Sequence, residues 1–204
     1  MILEINPDHP EPRKIKKVVE ILLKGGIIAY PTDTYYGIGC DLFKKESIEK
    51  IYQLKRRSTH QPFSFICNDL KNISEYAQVT NYAYKTMKRL LPGPYTFVLE
   101  GSRMVPRIML TKRRTVGIRV PANEICLAII GQLGHPVINT TASYPETNEI
   151  LSTPQEIRDR LGHALDLIID GGIVPSKPSS VISLIDDVPE VLRVGIGDVS
   201  VFQA

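Results

Sequence analysis

The chain has 204 residues, of which 43% are hydrophobic and 23% are charged, with a formal net charge of +3. This composition is that of a single folded domain over 1–204. It argues against disorder, and the small net charge does not by itself indicate a nucleic-acid binder. The three cysteines are far apart, which argues against disulfides and thiolate metal sites. The N-terminus turns polar after Ile5, and no apolar run reaches the roughly 20 residues of a membrane span. We therefore expect a cytoplasmic protein.

The first half of the chain alternates between strand and helix patterns. Pro12 near the start of an apolar helical repeat and Gly25-Gly26 after it predict one of the helices. Helices are predicted over 12–24 and 45–54, around Asn72 and over 81–91, and strands over 1–5, 27–30, 63–67 and 95–99.

The second half continues the alternation. Strands are predicted over 116–120, 137–140, 167–170, 181–184 and 190–193, and a helix over 124–133. Ser152 or Thr153 caps a further helix, with Pro154 at its first position and Leu161 at its end. This order predicts an α/β fold with a twisted mixed β-sheet flanked by helices, in two or three layers. Its ligand site is expected where strand ends and loops converge.

Charge is unevenly distributed along the chain. Six cations and no acidic residue lie between Gly101 and Asn123, whereas 142–170 has six acidic residues and two arginines. This split predicts one basic face or cleft and one acidic face, with an ordinary solvated surface as the alternative.

The common phosphate, zinc and hydrolase motifs are absent. The sequence has no G-x-x-x-x-G-K-[ST], G-x-G-x-x-G, H-E-x-x-H or G-x-S-x-G segment. Its histidines (His9, His60, His135 and His163) have no metal-ligand spacing, so no metal site is predicted. Any phosphate would have to be bound by side-chain cations and hydroxyls.

Four segments carry suitable groups. They are the loop PTDTYYGIG at 31–39, the turn Lys55-Arg56-Arg57, the strand TVGIRVP ending near Arg119, and the polar strand end at 139–143. Glycines allow close backbone approach, and arginine and lysine suit phosphates or a carboxylate. The alternatives are a tight turn that binds nothing, cations matched to a helix dipole, and strand ends facing water.

Seven motifs follow one another in a recognisable order: PTDTYYGIG, Lys55-x-Arg57, LPGPYTFVL, TVGIRVP, the polar strand end, PSSVISL and VLRVG. In this order they resemble the YrdC/YciO family, which contains the threonylcarbamoyl-AMP synthases that act in tRNA threonylcarbamoyladenosine formation. The resemblance runs from about Ile15 to Arg193. It implies a single YrdC-like domain with a concave basic pocket. It also implies a reaction of ATP, L-threonine and bicarbonate that gives threonylcarbamoyl-AMP and pyrophosphate, with Mg²⁺ accompanying ATP.

The resemblance also assigns roles to individual residues. It implies an ATP site formed by Lys55, Arg57, Thr115, Thr141 and Arg193. It implies a threonine site formed by Thr32, Arg119, Asn139 and Ser179, and a reacting region at Lys55, Arg57, Thr141 and Ser143.

The chain departs from the synthase pattern at several positions. Where typical synthases have the segment P-S-A-N-x-S-G, this chain has Thr141 at the position of the serine and Ser143 at the position of the asparagine. Where they have K-G-R-P, this chain has Lys55-Arg56-Arg57-Ser58. A family histidine falls on Ile66. These changes resemble the YciO branch and predict ATP binding with weak synthase turnover.

Two other functions stay open at this point. The chain could be a double-stranded RNA or tRNA binder that recognises shape through its basic run. It could also be a family member that keeps the pocket only for packing. Either a monomer or a homodimer is compatible with the sequence.

Overall fold

The computed structural model describes residues 1–58, 61 and 63–202, so His60 lies outside the described residues. The strands are β1 (Ile2–Glu4), β2 (Ile28–Tyr30), β3 (Gly37–Gly39), β4 (Ser64–Ile66), β5 (Tyr95–Glu100), β6 (Thr115–Arg119), β7 (Val137–Thr141), β8 (Leu167–Asp170), β9 (Ser180–Ser183) and β10 (Glu190–Arg193). The helices are α1 (Pro12–Leu23), α2 (Lys45–Leu54), α3 (Leu70–Tyr76), α4 (Asn81–Leu90), α5 (Glu124–Leu133) and α6 (Pro154–Leu161). No helix in this part of the chain is long and apolar enough to cross a bilayer.

The strands form one mixed sheet in the order β1-β8-β2-β3-β7-β4-β6-β5-β9-β10. Four neighbouring pairs, β1/β8, β2/β8, β4/β6 and β5/β9, are parallel, and the others are antiparallel. The α/β class, the mixed sheet and its helical flanks are therefore confirmed.

The two faces of the sheet are covered to different extents. Apolar side chains of α2, α3, α4 and α6 join one large buried cluster with residues from both halves of the sheet. On the opposite face, α1 and α5 pack mainly against β1, β8 and β2. That second cluster reaches only as far as Val137 of β7 and Ile66 of β4. Beyond them, this face carries polar side chains and lacks a helical cover among the described elements.

Most predicted elements are present with small boundary differences, and the helices over 45–54 and 124–133 have the predicted bounds. Thr153, and not Ser152, caps α6, because its hydroxyl accepts from the Glu156 amide in a capping box. The sequence reading missed β3, which lies inside the loop PTDTYYGIG. A Cβ on Gly39 would lie 2.0 Å from the Ile138 carbonyl oxygen, so glycine lets β3 pair closely with β7.

Candidate functional site

The uncovered part of the sheet forms the floor of a polar cavity of about 500 Å³. Side chains alternate between the two faces of a strand, so Thr115, Gly117 and Arg119 of β6 share one face. Ser64 of β4 and Thr96 of β5 lie beside them on the same floor. The cavity lies across these strands and is also lined by strand-end residues such as Thr141 and Arg193 and by loop residues such as Thr34.

The cavity carries positive charge. Arg57, Arg119 and Arg193 line it, and none of the described lining residues is acidic. These arginines come from the turn after α2, from β6 and from β10, so the fold brings together cations that are far apart in sequence. A cavity with several guanidinium groups and many hydroxyls suits a ligand with two or more anionic groups.

Arg119 is held by a buried ion pair. Its Nη2 donates to Asp33 Oδ1 over 2.7 Å and to Thr34 Oγ1 over 2.8 Å. The second oxygen of Asp33 accepts from the Ala122 amide. Arg119 is only 6% exposed, and its Nε has no hydrogen-bond partner in the described structure. A buried donor without a partner costs free energy, and an anionic ligand in the cavity would remove that cost.

Arg193 is fixed by Ser179, which lies just before β9. Its Nε and Nη2 donate to the Ser179 carbonyl, and Nη2 also donates to the Ser179 hydroxyl. That hydroxyl is 2.9 Å from Thr96 Oγ1. Burial, followed by the positive charge of Arg119, lowers the pKa of Arg193. The Arg119 guanidinium therefore lies close enough in this part of the cavity to disfavour the charged form of Arg193.

Arg57 forms another part of the cavity wall. Its guanidinium lies 5.0 Å from the centre of the Phe63 ring, in a cation–π contact. Burial lowers the pKa of Arg57. The ring orients the planar guanidinium beside the cavity.

Lys55 reaches the wall of the cavity without lining it. Its Nζ donates to the carbonyl oxygen of Thr141 over 3.2 Å, to that of Ser143 over 2.9 Å, and to the Ser143 hydroxyl. Burial, followed by the charge of Arg57, lowers its pKa to about 8.

The loop after β2 presents a different threonine from the predicted one. Thr32 does not line the cavity, because its buried hydroxyl donates to the Tyr35 carbonyl and accepts from the Thr34 amide. Thr34 and Tyr35 line the cavity instead. Thr32 therefore shapes the loop that presents Thr34.

The remaining predicted polar residues lie on the cavity floor. Asn139 accepts from the Tyr30 hydroxyl through Oδ1 and donates to Ser64 through Nδ2. The Thr115 hydroxyl is 2.8 Å from that of Thr111.

Seven of the ten predicted site residues line this one cavity: Arg57, Thr115, Arg119, Asn139, Thr141, Ser179 and Arg193. Thr32, Lys55 and Ser143 do not, and Ser143 directs its hydroxyl to Lys55. The sequence reading missed Thr34, Ser64, Thr96 and Thr111. Thr96 could have been identified from the sequence, because this polar residue stands between the aromatic residues Tyr95 and Phe97 of one strand.

The basic run between Gly101 and Asn123 divides into two groups. Arg119 is buried in the cavity. The other cations (Arg103, Arg107, Lys112, Arg113 and Arg114) are exposed.

Comparisons with known proteins identify related chains. Residues 20–195 match the family model of Sua5, YciO and YrdC proteins, which is described as telomere recombination. The uncharacterised protein YciO of Escherichia coli is 44% identical over 199 residues, or 97% of each chain. Its crystal structure has a TM-score of 0.93 over 99% of this chain and 98% of its own.

Relatives with named activities are more distant. A putative threonylcarbamoyl-AMP synthase of Methanocaldococcus jannaschii is 33% identical over 96% of this chain and 93% of its own. The P. abyssi Sua5 chain in a crystal structure with L-threonine is 27% identical to this chain, with a TM-score of 0.88. That match covers 96% of this chain and 57% of Sua5.

The buried Arg119–Asp33 pair gives a stability prediction. Asp33→Ala leaves a buried guanidinium without its carboxylate, and we expect it to lower the free energy of unfolding by about 3 kcal/mol. Glu146→Ala removes the partner of Arg56 in an exposed pair and is the matched control, with an expected loss of less than about 1 kcal/mol. Urea denaturation of both variants measures the difference. Equal losses would contradict a structural role for the buried pair.

Proposed function

Because the chain belongs to the Sua5/YciO/YrdC family, we propose that it is a nucleotidyltransferase of the threonylcarbamoyl-AMP synthase type, with weak turnover. The observation that carries this proposal is the convergence of three arginines in one polar cavity that has no acidic side chain among its described lining residues. A nucleoside triphosphate and an amino-acid carboxylate together supply the anionic groups that such a cavity accommodates. We place this activity in tRNA threonylcarbamoyladenosine formation in the cytoplasm.

The proposed reaction needs no nucleophile from the protein. The amine of threonine attacks CO₂ and loses a proton, or attacks bicarbonate with loss of water, to form a carbamate. An oxygen of that carbamate then attacks the α-phosphorus of ATP, the α–β bridging P–O bond breaks, and pyrophosphate leaves with the bonding electrons. The protein contributes by aligning the two substrates and by offsetting charge on the phosphates.

The threonine subsite is proposed around Arg119. The unpartnered Nε of this arginine is available to a carboxylate, while Nη2 stays with Asp33. Ser179 and Asn139 supply hydroxyl and amide groups nearby, and Thr34 is a further contact beyond the sequence assignment.

The phosphate subsite is proposed between Arg57 and Arg193, with Thr115 and Thr141 as hydroxyl contacts. Lys55 adds positive charge behind Thr141. No group of acidic, histidine or cysteine side chains that could hold a metal is present in the described part of the chain. Mg²⁺ would therefore enter as part of the MgATP substrate, ligated by phosphate oxygens.

Replacement of Arg57 tests the phosphate subsite. Because Arg57→Ala removes a charged donor from the cavity, we expect ATP affinity to fall by roughly 1.5–3 kcal/mol, measured by calorimetry. Arg56→Ala is the matched control, because Arg56 belongs to the same turn but pairs with the exposed Glu146. An equal loss in both variants would place the phosphates elsewhere.

Turnover tests the proposed reaction directly. With threonine, bicarbonate and labelled ATP, we expect slow threonine-dependent release of pyrophosphate together with a threonylcarbamoyl adduct. Ser143→Asn restores the amide of the family pattern and is expected to raise turnover while leaving the ATP dissociation constant roughly unchanged. Thr141→Ser can be added to restore the full motif.

Two outcomes would contradict this account of Ser143. Native turnover as fast as that of a typical family synthase would show that the substitution is unimportant. An unchanged rate in the restored variant would move the defect elsewhere, with Ser58 and Ile66 as the next positions to replace.

RNA binding is a second candidate function, favoured by the five exposed cations between Arg103 and Arg114. Together they form a surface run with no acidic residue in the same segment. Such a run suits the phosphates of double-helical RNA or tRNA, recognised by shape.

The salt dependence of RNA affinity tests this candidate. Replacing Lys112, Arg113 and Arg114 with glutamine should flatten the plot of log affinity against log salt, because fewer counterions are released, and leave ATP binding nearly intact. Replacing the cations Arg13, Lys16 and Lys17 of α1 is the matched control. An unchanged slope in the first variant, or equal flattening in the control, would remove RNA contact from this run.

A further inference from the structure

The ammonium group of Lys55 lies in a cradle of three protein oxygens. Two are the main-chain carbonyls of Thr141 and Ser143, and the third is the Ser143 hydroxyl. A lysine ammonium has three N–H donors, so this cradle can use all of them. The carbonyls belong to the backbone at and just after the end of β7, so among the described contacts of this ammonium the Ser143 hydroxyl is the acceptor that a side chain supplies.

Among the residues that the structure describes, no carboxylate forms an ion pair with Lys55. Arg57, on the same turn, disfavours the charged amine. Arg56, between them, pairs with Glu146 of the facing loop, so that carboxylate is directed to Arg56. Tyr52, one turn earlier on α2, donates its hydroxyl to the Ile108 carbonyl. The ammonium therefore depends on the hydrogen bonds that it donates to neutral oxygens to remain charged while half-buried beside another cation.

We propose that Ser143 is a positioning residue that acts through Lys55: its hydroxyl keeps the ammonium charged and directed at the end of β7, behind the phosphate subsite. Lys55 then contributes a fixed positive charge to the cavity, and Arg57 and Arg193 contribute the donors that face it. This assigns to Ser143 a contact with a protein cation in place of contact with the substrate. The inference rests on the proposed function only for the identity of the phosphate subsite.

The first experiment measures Lys55 in the ligand-free chain. Lysine labelled with ¹³C at Cε is titrated by NMR, and the Lys55 signal is assigned by its absence in Lys55→Arg. The native midpoint is expected near the Lys55 pKa of about 8. Because a hydrogen bond to the ammonium favours its charged form, Ser143→Ala should lower that pKa further, by about one unit. Ser143→Thr keeps a hydroxyl and should restore the native midpoint.

The second experiment measures pyrophosphate binding from pH 6 to pH 9.5. Each affinity is divided by that of Lys55→Arg, whose guanidinium stays protonated, so that the titration of pyrophosphate itself cancels. The native ratio should fall above about pH 8 as the Lys55 amine loses its proton. In Ser143→Ala the same fall should begin about one pH unit lower. At pH 6, where the amine is charged in both proteins, their affinities should agree within about threefold.

Several outcomes would overturn the proposal. An unchanged NMR midpoint in Ser143→Ala, or a midpoint in Ser143→Thr as low as in the alanine variant, would show that the hydroxyl does not support the Lys55 charge. A loss of pyrophosphate affinity that is the same at every pH would indicate altered packing only. If the native chain bound no pyrophosphate, the proposed phosphate subsite would fail, while the NMR titration would still decide the role of Ser143.

Discussion

The buried ion pair between Arg119 and Asp33 is the constraint on which the cavity depends. Arg119 ends β6 on the open face of the sheet, where an unpaired guanidinium would be costly to bury. Asp33 pairs with it and also accepts from the Ala122 amide, which ties the loop after β2 to the segment after β6. That loop also holds Thr34 at the cavity. The carbonyl oxygen of Thr34 accepts a hydrogen bond from the Ser176 amide. The contacts made by this charge pair and by its loop therefore connect three chain segments around the site: the loop after β2, the segment after β6 and the segment at Ser176.

Two other cations of the site, Arg193 and Lys55, are held by neutral oxygens. Arg193 is bound by Ser179, and Lys55 by Thr141 and Ser143. Neutral acceptors orient a cation without cancelling its charge, so the cavity keeps a positive potential that a paired carboxylate would remove. The lowered pKa values of Arg193 and Lys55, caused first by burial and then by a neighbouring arginine, reflect this lack of compensation. An anionic ligand would relieve the burial and the repulsion together.

Sequence reasoning identified the fold because its signals are local. Periodic apolar residues and caps define helices such as α5, and short apolar runs define the buried strands. It missed β3 because the two glycines of this strand resemble a turn, whereas close pairing with β7 requires them. For the site, the motif order was sufficient to select seven residues that line one cavity. It could not distinguish Thr32 from Thr34, since both are threonines of the same loop and only the folded backbone decides which one faces the cavity.

The same limit explains Ser143. The motif alone suggests that a shorter side chain leaves a gap where an amide would contact substrate. In the folded chain, Ser143 does not line the cavity, and its hydroxyl accepts a hydrogen bond from Lys55. Two consequences of the substitution can then be separated by their physical signatures. A missing contact to the reacting group changes the rate with little effect on ground-state affinity, because it is made mainly in the transition state. A hydroxyl that supports a cation changes how affinity depends on pH, because it acts on the proton equilibrium of Lys55. A pH-dependent affinity would therefore assign residue 143 to the charge balance of the site, and a pH-independent change in rate would assign it to the chemistry.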